Sequence, residues 1–171
     1  MYRAGDKVAH PGHGGCIVQG VCDKEFGGEI RSYYVLIPNL EPNTTILDPV
    51  ESVQQIGLRS IISAQQADQL LHAITSIKVG WIKENTKRRQ AFDKILKEGE
   101  LSDVAQLIKE LTVHGMNGAL NNCDKATLGR AQRKFISELA MAKTISYEDA
   151  LELVNDAISE GDCELQENCV S

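Results

Sequence analysis

Aromatic residues are scarce, at 5% of 171 residues with a single tryptophan, so the core must be aliphatic. No apolar run approaches the ~18 residues that a membrane-spanning helix needs. The opening MYRAGDKVAH lacks the apolar stretch of a secretion signal, so neither membrane insertion nor export is expected. The five cysteines (Cys16, Cys22, Cys123, Cys163 and Cys169) are odd in number and irregularly spaced. A disulfide framework is therefore not expected, and a reducing cytoplasm is. Signatures of catalysis are missing as well. There is no G-x-S-x-G, no phosphate-binding loop, no dinucleotide fingerprint and no H-E-x-x-H, so neither an enzyme nor a cofactor is expected.

Charge is present, and it is unevenly spread. The net charge is −6, yet residues 77–97 carry seven basic and two acidic side chains, and residues 148–171 carry eight acids and no base. Local potential matters more than the total, because salt screens charges beyond roughly 8 Å. The one indole, Trp81, stands at the start of the basic stretch in GWIKENTKRRQAFDKI.

Two periods divide the chain. Residues 1–60 are punctuated by Gly, Pro, Asn and Asp, with β-rich runs at 15–21, 32–37 and 44–47. Residues 23–31 suit a hairpin connection, with Gly27 and Gly28 supplying positive φ at its tip. Four or five short strands suit a small, strongly bent barrel of SH3 or Tudor type. Residues 61–160 turn helical, giving an α+β chain with a five-helix domain after the barrel. Ser63 and Gln66 form a capping box before the first helix. The second spans about 82–98, the third is capped by Ser102 with Gly115 past its end, and the fourth starts near Asp124. The fifth opens at Ser146 and stops at Gly161. Residues 161–171 read as an acidic, flexible tail.

The second helix has a regular apolar stripe only in its later half (Phe92, Ile95, Leu96). Its head is cationic, so it should project into solvent or onto a partner. Trp81 alone would be a core plug between helices, since tryptophan is highly buried on average. A basic cluster alone would be a solvated face. Together they suit an indole stacking on a base while Lys and Arg neutralise phosphates. His10, His13 and Cys16 have metal-like spacing, with Cys22 the nearest fourth ligand, but no paired second half follows. No metal is expected. Cys123 with His114 lacks the third group that an activated nucleophile needs.

The barrel segments GDKVAHPGHGGCIVQGV, EFGGEIRSYYVLIP and TTILDPVESVQQIGLRSI precede W…KRR, ILKEGELSDVAQLIKEL and LGRAQRKFISELAMA. Over residues 2–160 this order resembles the CarD/CdnL family of bacterial transcription regulators. The resemblance implies a Tudor-like barrel that binds the RNA polymerase β subunit. It also implies a helical domain that contacts promoter DNA, without reading sequence, where a tryptophan wedges into the upstream edge of the transcription bubble and stabilises the open complex. On that basis Trp81, Lys83, Lys87, Arg88, Arg89 and Arg130 are the expected DNA-contacting residues. Lys24, Thr45, Ile46 and Leu47 are the expected polymerase-facing ones. Two departures from the family stand out: IKENT separates Trp81 from the Arg pair, and Leu47, beside Asp48, occupies a position where the family carries arginine. The expected protein is cytoplasmic and associated with the nucleoid through polymerase, and nothing in the sequence demands more than a monomer. Two other readings remain: an interaction adaptor whose helical half leaves DNA alone, and a thiol- or metal-responsive protein.

Overall fold

A computed structural model describes residues 1–118 and 120–167. It divides into two compact units, Met1–Ile62 and a second beginning at Ser63.

The first unit is a five-stranded antiparallel sheet of β1 (Lys7–His10), β2 (Gly14–Phe26), β3 (Glu29–Pro38), β4 (Ile46–Pro49) and β5 (Arg59–Ser60), in the order β4-β3-β2-β1-β5. Alternation in β3 buries Tyr34 and Leu36 and leaves Tyr33, Val35 and Ile37 half-buried on the opposite face. The buried face joins Val8, Cys16, Val18 and Leu58 in one small core. The β2–β3 ladder runs on to Phe26 opposite Glu29. The connection thus shrinks from the expected 23–31 to Gly27-Gly28, whose φ angles of 65° and 85° suit a two-residue turn. A bulge between Val18 and Gly20 bends β2, with Gly20 at φ 156°. Pro49, lacking an N–H, closes β4. A 3-10 turn (Val50–Ser52) and the single-turn α1 (Val53–Ile56) lead to β5.

The second unit contains α2 (Ala64–Ser76), α3 (Asn85–Glu98), α4 (Leu101–Asn117), α5 (Asn122–Lys143) and α6 (Tyr147–Glu167). Its core is built from α4 (Val104, Leu107, Ile108, Leu111), α5 (Phe135, Ile136, Leu139) and α6 (Val154, Ile158). The Ser63 capping box forms as expected: Gln66 N donates to Ser63 Oγ at 3.2 Å and Ser63 N to Gln66 Oε1 at 2.9 Å.

Other boundaries move. Glu100, not Ser102, precedes α4, its N–H donating to Asp103 Oδ2 at 2.9 Å, and Leu101 is already helical and buried. Gly115 lies inside α4, which continues to Asn117. The expected start of a helix at residue 82 is wrong, because the Ile82 and Lys83 carbonyls accept from the Arg88 side chain and the turn before Asn85 stays extended. Gly161 does not end the last helix. It sits within α6, where a Cβ would lie 2.1 Å from the Thr75 carbonyl oxygen and 2.6 Å from Lys109 Nζ. A close crossing of α2 and α6 therefore requires its small size, and its breaking tendency is overridden. The expected flexible tail is helical as far as Glu167, and residues 168–171 lie outside the described residues.

Candidate functional site

Arg88 organises the turn that carries Trp81. Its Nε and one terminal nitrogen grip Asp124, at 3.2 Å to Oδ1 and 2.7 Å to Oδ2. The same terminal nitrogen reaches Asn85 Oδ1 at 2.7 Å, and the other donates to the Ile82 and Lys83 carbonyls at 2.8 and 3.4 Å. Five acceptors thus match the five N–H donors of a guanidinium. The pair is buried, with side chains 4% and 7% exposed. This corrects the expectation for Arg88. Its charge is committed to α5 and to the turn, which leaves it no phosphate to meet.

Trp81 is half-buried, and the Arg88 guanidinium carbon lies over its ring, 4.4 Å from the centroid. The His114 imidazole stacks on the indole with ring centroids 3.4 Å apart and planes 14° from parallel. Phe92 meets it edge-on at 6.5 Å. The indole is therefore neither a fully enclosed plug nor a bare blade. Its setting also draws His114 to Trp81 and away from any role beside Cys123.

The remaining cations are exposed. Lys83 lies in the extended turn before α3 and Lys87 in its first turn, with Lys87 2.8 Å from Glu84. Arg89 and Arg130 share Asp93, at 3.8 and 2.9 Å. Exposed pairs of this kind contribute little, about 0–1 kcal/mol, so phosphates can replace the carboxylates at small cost. Of these cations Arg89 borders an open cleft of about 430 Å³, which is also lined by Asn85, Arg88, Asn121, Cys123 and Asp124 among others.

In the barrel, β4 occupies one end of the strand order. Leu47, 37% exposed, pairs with Val35 on the outward face. Thr45 and Lys24 are exposed, and Lys24 pairs with Arg31 near the hairpin tip. Ile46 departs from expectation: it pairs with Leu36 on the inward face and packs on the core. Asp48 is buried opposite Tyr34, so its charge lies on the side away from Leu47.

The metal-like trio is otherwise engaged. His10 Nδ1 accepts from the Gly12 and His13 amides at 3.0 and 3.2 Å, leaving Nε2 3.5 Å from Asp48 Oδ2. Burial lowers the pKa of His10, with His13 adding to the shift and Asp48 opposing it. Cys16 is fully buried, and burial, then Asp48 and Glu41, push its thiol up to about 12. A neutral thiol neither ligates metal nor reacts. Pulse alkylation with peptide mapping should label the exposed Cys123 in the native protein and Cys16 only after unfolding.

Family models match both units: "CarD-like/TRCF RID domain" over residues 2–62 and "CarD, C-terminal domain" over residues 69–155. The chain belongs to the CarD/CdnL family. It is also similar to a Bacillus subtilis (strain 168) protein named "Putative transcription factor YdeB", 25% identical over 146 residues, covering 85% of this chain and 95% of that one. The CarD/CdnL assignment makes the chain a transcription regulator. No helix among the described residues is long and apolar enough to cross a membrane.

Within this CarD/CdnL chain, residue spacing singles out Trp81 and the basic run Lys83, Lys87 and Arg89, the resemblance adds Arg130, and all four cations are exposed. Spacing misses His114 and Asp124, which lie 33 and 43 positions beyond Trp81 in the chain. A buried arginine in a run of like charges needs a carboxylate partner. That signal exists, but it does not say which of the 24 acids provides it.

Proposed function

We propose that the first unit binds the RNA polymerase β subunit and the second contacts promoter DNA at the upstream edge of the bubble. There Trp81 wedges beside the unpaired bases and holds the open complex. The observation that carries this reading is the half-buried indole, close in the chain to the exposed Lys83, Lys87 and Arg89, with Arg130 exposed in the same family-matched helical unit and bound to the Asp93 that Arg89 also meets. Wedging costs least where DNA is already melted, so the interaction favours open over closed promoter. On the barrel, the outward Leu47, with Thr45 and Lys24 exposed, and the terminal position of β4 support a polymerase-facing role. Ile46 serves that face through its backbone. Tethering to polymerase supplies effective concentration, so a few phosphate contacts suffice and a monomer is enough.

Trp81→Ala should leave co-purification with polymerase unchanged and shorten open-complex lifetime about tenfold, the equivalent of ~1.4 kcal/mol. A lifetime equal to that of the wild type rules the wedge out. The β4 edge also suits strand addition by a partner, which favours a second reading as an adaptor that leaves DNA alone. Under that reading, alanine at Lys83, Lys87, Arg89 and Arg130 together would leave the salt dependence of the promoter complex unaltered.

A further inference from the structure

The His114 imidazole holds the parallel, contact-distance position on the indole that a DNA base would take. Full overlap with a base therefore requires either this ring or the Arg88 guanidinium to leave. Arg88 is tied by hydrogen bonds to Asp124, Asn85, Ile82 and Lys83. His114 lies in the last turns of α4, half-buried, and its ring makes no hydrogen bond to any described residue. Displacing His114 from the indole would break none of the hydrogen bonds that hold Arg88.

We infer that His114 is a displaceable cover on Trp81, a specificity-determining residue that an unstacked nucleotide base must replace. This rests on the wedge reading of Trp81. The exchange swaps one stacked ring for another. Duplex DNA, whose bases are already stacked on one another, offers no ring to replace the imidazole, so Trp81 stays covered there. A melted junction offers one. The cover thus makes engagement conditional on melting and keeps a greasy surface from free DNA and other partners. Without it, binding to the open junction no longer includes the loss of the imidazole–indole stack, and the wedged state gains by that amount.

The single tryptophan of the chain allows a direct test. Acrylamide quenching of its fluorescence reads ring accessibility in the free protein. His114→Ala should raise the quenching constant. His114→Gln, which removes the aromatic plane but suits a helix, should do the same with little change in thermal unfolding. In promoter complexes with polymerase, both should lengthen open-complex lifetime about two- to tenfold, the factor expected from one aromatic pair. His114→Phe retains a stacked ring and should keep both readings near wild type. Unchanged quenching in His114→Ala and His114→Gln overturns the cover alone. Raised quenching with a shortened lifetime also overturns it, because His114 would then be holding the indole in its working pose. A Trp81→Ala lifetime equal to wild type overturns the wedge reading, and the cover with it, whatever the quenching shows.

Discussion

Asp124→Ala is expected to destabilise the helical unit by about 3–5 kcal/mol, the usual cost of leaving one charge of a buried pair unpaired. The loss should appear in urea unfolding followed by circular dichroism. The cause lies in the partner rather than in the deleted group. Removing Asp124 leaves a guanidinium only 4% exposed without its counter-charge. The same carboxylate fixes the guanidinium that bonds to Ile82, Lys83 and Asn85 and lies over Trp81. Trp81 emission should therefore shift in the folded fraction of the variant. The double variant Arg88→Met, Asp124→Leu replaces the pair with apolar groups and should recover most of the stability, as buried ion pairs often allow. It should not restore the position of the Trp81 turn, because methionine cannot bond the two carbonyls. Stability within about 1 kcal/mol of the wild type in Asp124→Ala would show that Arg88 reaches water or another carboxylate, contrary to the geometry.

Gly161→Ala is the second large effect, and it opposes the usual helix rule. Alanine in a helix interior normally stabilises by about 1 kcal/mol relative to glycine. Here the new Cβ would meet the Thr75 carbonyl oxygen at 2.1 Å and Lys109 Nζ at 2.6 Å. That ammonium is buried and caps the end of α2 through the Ile74 and Thr75 carbonyls at 2.8 and 3.1 Å. The substitution therefore presses on backbone and on a buried cation together. A loss of about 3 kcal/mol is expected, at the upper end of the range for overpacking. Gly129→Ala provides the matched control. It lies in α5 with nothing within 4 Å of an added Cβ, and it should raise stability by up to about 1 kcal/mol. Opposite shifts in the urea midpoints of the two variants are the expected result. Shifts of the same sign would mean that α2 and α6 do not cross as closely as described.

The partners that decide these residues lie far away along the chain. Ser63 with Gln66 was legible because a capping box is made within four residues. The Gly27-Gly28 turn was legible because positive φ is a property of glycine itself. The barrel-then-helices order followed from the switch of apolar period from 2 to 3.6. The sequence does not single out Arg88, because Lys87, Arg88 and Arg89 are equivalent in composition and only the position of Asp124 on another helix separates the buried one from the exposed two. The inward face of Ile46 is hidden in the sequence for a related reason. Neighbouring residues of a strand face opposite ways, and which way is set by pairing with β3. Gly161 reads as a helix stop in the sequence because its neighbour across the crossing, Thr75, is far away along the chain.

From the sequence alone came the two-part architecture, the family, the lone indole and the basic stretch beside it, since each depends on residue type, local spacing or order along the chain. Only the tertiary structure decided which arginine anchors and which cations stay exposed. It also decided that His114 stacks on Trp81 and that Gly161 must stay small. Burial, charge pairing and ring stacking depend on distances between side chains far apart in the chain, and those distances exist only after the helices have packed.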